Sequence, residues 1–147
     1  MKVTILRGIP GSGKSTYCKK NYPNAAWYSA DYYFINEKGV YAFDPSKLGE
    51  AHGYCLRGVV QHLERHPLNM DLVVDNTNTT AVEIAPYAAL AQAYGCELEI
   101  ITIQCMPEVA AARNVHGVPL EGVRRMYAQL IGATLPPWWP HRVVEVP

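Results

Sequence analysis

Apolar residues in this chain fall into short runs separated by longer stretches with a helical period, and that alternation sets the order of elements. Val3, Ile5 and Leu6 form the first run, and Lys14 to Lys20 predict a short helix ended by Asn21 and Pro23. Ala25, Ala26, Trp27 and Tyr28 predict a brief buried strand that delivers Ser29, Ala30 and Asp31 to its C-terminal end. Asp44 and Pro45 look like an N-cap followed by proline at the first helical position. The helix they open carries Leu48, Ala51, His52, Cys55, Leu56, Val59, Val60 and Leu63 on one stripe, with Glu50, Arg57, Gln61, Glu64 and Arg65 elsewhere. His52 lies in that stripe, so it reads as a core histidine and not a ligand. His66-Pro67 stops the helix.

In the second half, Asp71 to Asp75 reads as a buried parallel strand ending in an acid, followed at once by Asn76, Thr77 and Asn78. Thr80 and Glu83 have the spacing of a capping box, and Gly95 reads as the C-cap of that helix. Pro86 lies inside the segment, which predicts that helical bonding begins somewhat after Thr80. Glu97 to Cys105 is another strand, and Pro107 starts a helix through Arg113-Asn114 that Gly117 and Pro119 break. Leu120, Val123, Tyr127, Leu130 and Ile131 share one face of the next helix, and Pro136 to Pro140 is a stiff connector into a last strand, Arg142 to Val146. Strands alternate with helices, with no repeat and no low-complexity tract. That order predicts an α/β fold with a parallel sheet covered on both faces.

Composition narrows the class. The 147 residues are 49% hydrophobic, enough for one sizeable core, and a single domain over 1–147 is expected. Lys plus Arg equals Asp plus Glu, 13 each, so a polyanionic substrate has to be gripped locally and not by a global field. Cys18, Cys55, Cys96 and Cys105 show neither C-x-x-C pairing nor zinc spacing with the histidines, which predicts buried free thiols in a reducing compartment. No apolar run approaches the ~18 residues of a membrane span, and the first residues lead into a strand instead of a signal sequence. A cytoplasmic protein without membrane contact or obligate protein partner is expected.

The chemistry concentrates at Gly8-Ile9-Pro10-Gly11-Ser12-Gly13-Lys14-Ser15, which satisfies G-x-x-x-x-G-K-[ST] between a predicted strand and a predicted helix. Gly11 and Gly13 let the backbone take conformations a side chain would block, so successive N–H groups converge on an anion. The helix start adds partial positive charge, Lys14 is placed for the β- and γ-phosphates of ATP, and the Ser15 hydroxyl suits Mg²⁺. Asp31 and Asp75 each end a predicted strand, the edge where ligands sit in open α/β sheets. A solvated turn acid and a helix cap are the bland readings of these two carboxylates.

The chain resembles the P-loop polynucleotide kinase family, which includes the kinase domain of the phage nucleic-acid repair enzyme and related small AAA-type ATP-binding proteins. The residues that carry the resemblance run from Val3 to about Leu130: L-R-G-I-P-G-S-G-K-S-T, S-A-D-Y-Y-F with G-V-Y-A-F-D-P, A-H-G-Y-C-L-R, V-V-D-N-T-N and A-R-N-V-H-G-V-P. The resemblance implies a five-stranded parallel sheet in the order 2-3-1-4-5 and transfer of the ATP γ-phosphate to the 5′-hydroxyl of DNA or RNA. It assigns the phosphates to Gly11, Ser12, Gly13, Lys14, Ser15 and Thr16, the general base to Asp31, and the Mg²⁺ shell to Ser15 and Asp75. Thr77 and Asn78 match positions that contact the acceptor, and Arg113 matches the lid arginine that closes on the triphosphate.

This sequence departs from the family pattern at three places. Tyr32 stands where a second acid is usual, Phe34 where the phage enzyme has a substrate-binding arginine, and Val115-His116-Gly117 where longer members place a second arginine. His116 reads as a solvated loop residue and as the reserve donor for the lid. A kinase of a small metabolite or nucleotide shares the P-loop and the acid after the second strand, and a nucleotide-binding regulatory module shares the P-loop alone. The aromatics between Tyr32 and Phe43 read either as a loop packed on its own side chains or as a stacking wall. Trp138-Trp139 reads as a cap on the sheet edge, with base stacking as the alternative.

Overall fold

In the computed structural model, which describes residues 1–65 and 70–146, the apolar runs become the strands of one parallel sheet. The elements are β1 (Lys2–Arg7), α1 (Lys14–Asn21), β2 (Ala26–Tyr28), α2 (Leu48–Arg65), β3 (Leu72–Asp75), α3 (Ala81–Ala93), β4 (Glu97–Gln104), α4 (Pro107–Arg113), α5 (Leu120–Gly132) and β5 (His141–Glu145). Strand order is β2-β3-β1-β4-β5, as the resemblance implies. The predicted stop at His66-Pro67 lies outside the described residues.

Side chains alternate across the sheet because a strand has a period of two. Val3, Ile5, Leu72, Val74 and Ile100 face α2 and α3. Leu6, Val73, Ile101 and Ile103 face the other way, onto Cys18 of α1. A third cluster joins Ile9 and Cys105 to Ala110 of α4 and Val123 and Leu130 of α5. Cys18, Cys55 and Cys105 are buried free thiols as expected, whereas Cys96 is half-buried. Among the described residues no helix is long and apolar enough to cross a membrane.

Four local expectations change. The buried stripe of α2 is Ala51, Cys55, Val59, His62 and Leu63, so His52 is exposed and the core histidine is His62. Its ring bridges the Tyr28 hydroxyl at 3.0 Å and the Met70 carbonyl at 2.8 Å, which is how a polar ring is accommodated in a core. α3 starts directly at Ala81 and takes Pro86 into its interior, on the exposed side of the helix. Glu83 accepts from the Thr79 amide at 2.8 Å, so the reciprocal half of the cap is one residue earlier than a capping box puts it. Trp139 packs on the main core, but Trp138 is 76% exposed.

Arg7, at the end of β1, is 3% exposed and organises the middle of the molecule. Its Nε donates to the Asn78 carbonyl at 3.0 Å, one terminal nitrogen to Thr102 Oγ1 at 3.1 Å, and the other to the Thr79 carbonyl at 2.8 Å. Burial pushes the guanidinium pKa down, with the Glu83 charge opposing. Removing it strands buried carbonyls, so Arg7→Ala is expected to cost about 2 to 4 kcal/mol of stability. A urea midpoint within experimental error of the wild type would contradict this role.

Candidate phosphoryl-transfer site

Strand register brings the site together. Leu6 pairs with Asp75 and Val74 with Tyr28, so β1, β2 and β3 release Gly8, Ser29 and Asn76 along one edge of the sheet. The Gly8 amide donates to the Thr77 carbonyl at 2.9 Å, and the Ala30 amide donates to Asn76 Oδ1 at 2.9 Å. Three chain segments are thereby tied at their exits.

The loop from Gly8 to Lys14 has the geometry of an anion cradle. Gly11 and Gly13 have φ of +81° and +100°, a region that favours glycine. A Cβ on Gly11 would lie 2.0 Å from the Ala110 carbonyl oxygen, so this glycine also lets α4 close onto the loop. Ser12 Oγ is buried and has no hydrogen-bond partner among the described residues. A buried hydroxyl in that state costs about 1–3 kcal/mol, which a phosphate oxygen accepting its proton would offset. The residues therefore fit a bound triphosphate.

Lys14 Nζ donates to the Gly8 and Ile9 carbonyls at 2.9 and 3.2 Å, holding the ammonium at the loop. Burial pushes its pKa down, opposed by the charges of Asp75 and Asp31. Ser15 Oγ donates to Asp75 Oδ2 at 3.0 Å. Burial also raises the Asp75 pKa, opposed first by Lys14 and then by the Ser15 bond. Thr16 follows in the exposed first turn of α1, whose amides point at the loop.

Asp31 sits in a 3-10 turn, Ala30–Phe34, immediately after β2, and Ser29 caps that turn through the Asp31 amide. Its carboxylate is half-exposed and lies 3.5 Å from His116 Nε2. The His116 ring rests on Tyr41, with centroids 4.4 Å apart. Burial raises the Tyr41 hydroxyl pKa, followed by the charge of Asp31 and a hydrogen bond to it. Ser15, Asp31, Tyr32, Tyr41, Asp75 and His116 line a common cavity of about 300 Å³. The rings of Phe34, Tyr41 and Phe43 contact one another, so the aromatic loop packs on its own side chains.

Residues 3–117 match the AAA domain family. The chain belongs to that family. NEDD4-binding protein 2 of Homo sapiens is 35% identical over 132 residues, which is 84% of this chain and 7% of that protein. A chain of the Pnkp1/Rnl/Hen1 RNA repair complex superposes with a TM-score of 0.71 at 18% identity, over 88% of this chain and 44% of that one. A sugar kinase from Janibacter sp. HTCC2649 superposes with a TM-score of 0.64 at 16% identity, over 99% and 85% of the two chains. At these identities the solved structures share the P-loop kinase-like fold. The chain spans less than half of the first two proteins.

Not every residue assigned from the sequence of this AAA domain reaches the cavity. Asn78 is 3% exposed, with φ of +45° and its amide donating to the Leu6 carbonyl at 2.8 Å. Its side chain secures the loop to β1 and is not presented to an acceptor, because the tight turn after Asp75 points it inward. Thr77 is half-buried beside Gly8, to which it offers its carbonyl. Arg113 ends α4 with its guanidinium 2.9 Å from Cys105 Sγ and does not line the cavity. His116 comes to Asp31 in its place, so it is not a freely solvated loop residue. Asn76 and Arg7, to which the sequence assigned no role, fix the loops that carry Asp31 and Thr77. Their side chains reach backbone groups far off in sequence, a pairing that no local spacing reveals.

Proposed function

We propose that this AAA domain is an ATP-dependent kinase that transfers the γ-phosphate to the 5′-hydroxyl of a polynucleotide. The observation that carries the reading is one cavity containing the Asp31 carboxylate and the Ser15-Asp75 pair beside the P-loop. In the step proposed, the acceptor oxygen bonds to the γ-phosphorus as the bond from that phosphorus to its bridging oxygen breaks. The hydroxyl proton passes to Asp31, and ADP leaves. Lys14 and the Gly11 to Thr16 amides hold the phosphates in line, and Arg113 reaches them once it leaves Cys105. Ser15 and Asp75 are the residues that would hold Mg²⁺, which would supply charge neutralisation to the triphosphate.

The test is transfer of label from γ-labelled ATP to 5′-hydroxyl DNA and RNA oligonucleotides, beside gluconate and other sugar acceptors. Labelled oligonucleotide is the expected product. Label on a sugar alone would favour a small-metabolite kinase, the reading supported by the sugar kinase's coverage of 99% of this chain.

His116 orients the base in this scheme. His116→Ala is expected to lower turnover about ten- to a hundredfold, as small misplacements of catalytic groups do. Combined with Asp31→Asn it should add nothing further, because both changes act on the same group. Independent, multiplicative losses would show that His116 acts elsewhere.

A further inference from the structure

A second cavity, of about 410 Å³, adjoins the Asp31 cavity, and the two share Trp27, Ser29 and Tyr32. Its opposite wall is α2, where Gly58 lets the helix approach β2: a Cβ there would lie 2.9 Å from the Tyr28 ring. Arg57, Gln61 and Arg65 line this wall at four-residue spacing, so they form one ridge along the helix. The two arginines are about 12 Å apart along its axis.

Charge on α2 is segregated. Glu50 accepts from the Tyr33 hydroxyl at 2.6 Å and Glu64 from the Tyr94 hydroxyl at 3.2 Å, and neither lines the cleft. Arg57 and Arg65 are exposed, and among the described residues neither forms an ion pair. On a chain whose formal charges cancel, this ridge is a local cationic track. Tyr32, 40% exposed, lines the same cleft, with Tyr54, 49% exposed, on α2 itself. Guanidinium groups opposite aromatic rings are the pairing that grips single strands: the cations take phosphates, and the rings stack bases without reading sequence.

We propose that this cleft holds the nucleotides following the 5′-terminal one in a single-stranded acceptor. Their phosphates lie on Arg57 and Arg65, and a base lies against Tyr32. The proposal rests on the polynucleotide reading above and gives that acceptor its second subsite. The terminal 5′-hydroxyl enters the cavity at Asp31, and the strand leaves past Ser29 and Tyr32, two of the residues the cavities have in common.

The experiment measures KM for 5′-hydroxyl oligonucleotides of two, four and ten residues, with γ-labelled ATP, for the wild type, Arg57→Ala/Arg65→Ala and Arg57→Lys/Arg65→Lys. The wild type should favour the decamer over the dinucleotide by about tenfold in KM, and the alanine pair should collapse that preference. Two lost phosphate contacts should also reduce the salt slope of decamer binding by about 1.4, at roughly 0.7 per phosphate on single strands. The lysine pair should keep most of the slope while losing part of the affinity. Melting curves verify that all three proteins are folded. Transfer to oligonucleotides with a KM independent of length, or an alanine pair with wild-type length preference and salt slope, overturns the cleft and leaves the kinase reading standing. Failure of the wild type to label any oligonucleotide overturns both.

Discussion

Replacing Asp31 by asparagine is expected to lower turnover by about 10²- to 10⁴-fold, the usual contribution of a general base. The substitution preserves shape and hydrogen-bonding reach but cannot accept a proton, so it isolates that single function. The half-exposed carboxylate contacts His116 and Tyr41, and the turn that carries it is capped by Ser29 and tied through the Ala30 amide to Asn76. The fold should survive the change. ATP affinity should stay within a fewfold of wild type, because the phosphates are gripped by the loop and not by Asp31. Turnover and ATP binding measured on the same preparation decide the matter. A variant that transfers normally, or that loses ATP binding instead, would give Asp31 another role.

Lys14→Ala is the second large effect. A positioned cation acting on the transferring phosphoryl group is worth at least about 10²- to 10³-fold in rate, and Lys14 is the lysine within the loop itself. The ammonium sits on the Gly8 and Ile9 carbonyls, so its loss also loosens the cradle and should weaken ATP binding. Stability should fall by no more than about 1–2 kcal/mol, the scale of two hydrogen bonds in a partly open loop. Single-turnover rates at saturating ATP, set beside a melting curve, separate these consequences. Near-normal transfer in the alanine variant would sink the assignment of this loop to phosphate binding.

How much was legible beforehand differs by length scale. The strands were plain because Val3, Ile5, Val73, Val74, Ile100 and Ile101 repeat apolar side chains at the spacing a buried parallel strand requires. The cradle was plain because its glycines and lysine are adjacent in sequence. The order of the strands was not carried by periodicity and came from the family resemblance. On α2, a stripe wide enough to include both His52 and Leu63 left the core histidine ambiguous, and the hydrogen bonds of His62 with the Tyr28 hydroxyl and the Met70 carbonyl decided for His62.

The remainder depended on contacts between distant residues. Asn78 and Thr77 are neighbours in the same motif, yet one turn of backbone sends the first inward to Leu6 and leaves the second half-exposed. His116 gains its place because the segment after α4 returns across the P-loop, an arrangement fixed by the contact of Gly11 with Ala110 and Asn114. The arginine three residues earlier consequently points to Cys105. The sequence assigned Arg7 no role, and only the three carbonyls converging on it (Asn78, Thr79 and Leu130) show why a guanidinium is buried there.

The central claim is that Asp31 deprotonates a terminal hydroxyl for attack on the phosphate held by the P-loop. Its most direct test uses two oligonucleotides identical except at the 5′ end, one carrying a hydroxyl and the other a phosphate, each incubated with γ-labelled ATP and Mg²⁺. The account predicts label on the hydroxyl oligonucleotide alone, with transfer depressed by at least about a hundredfold in Asp31→Asn. Label on neither oligonucleotide while ATP is hydrolysed at the same rate by both proteins would contradict it.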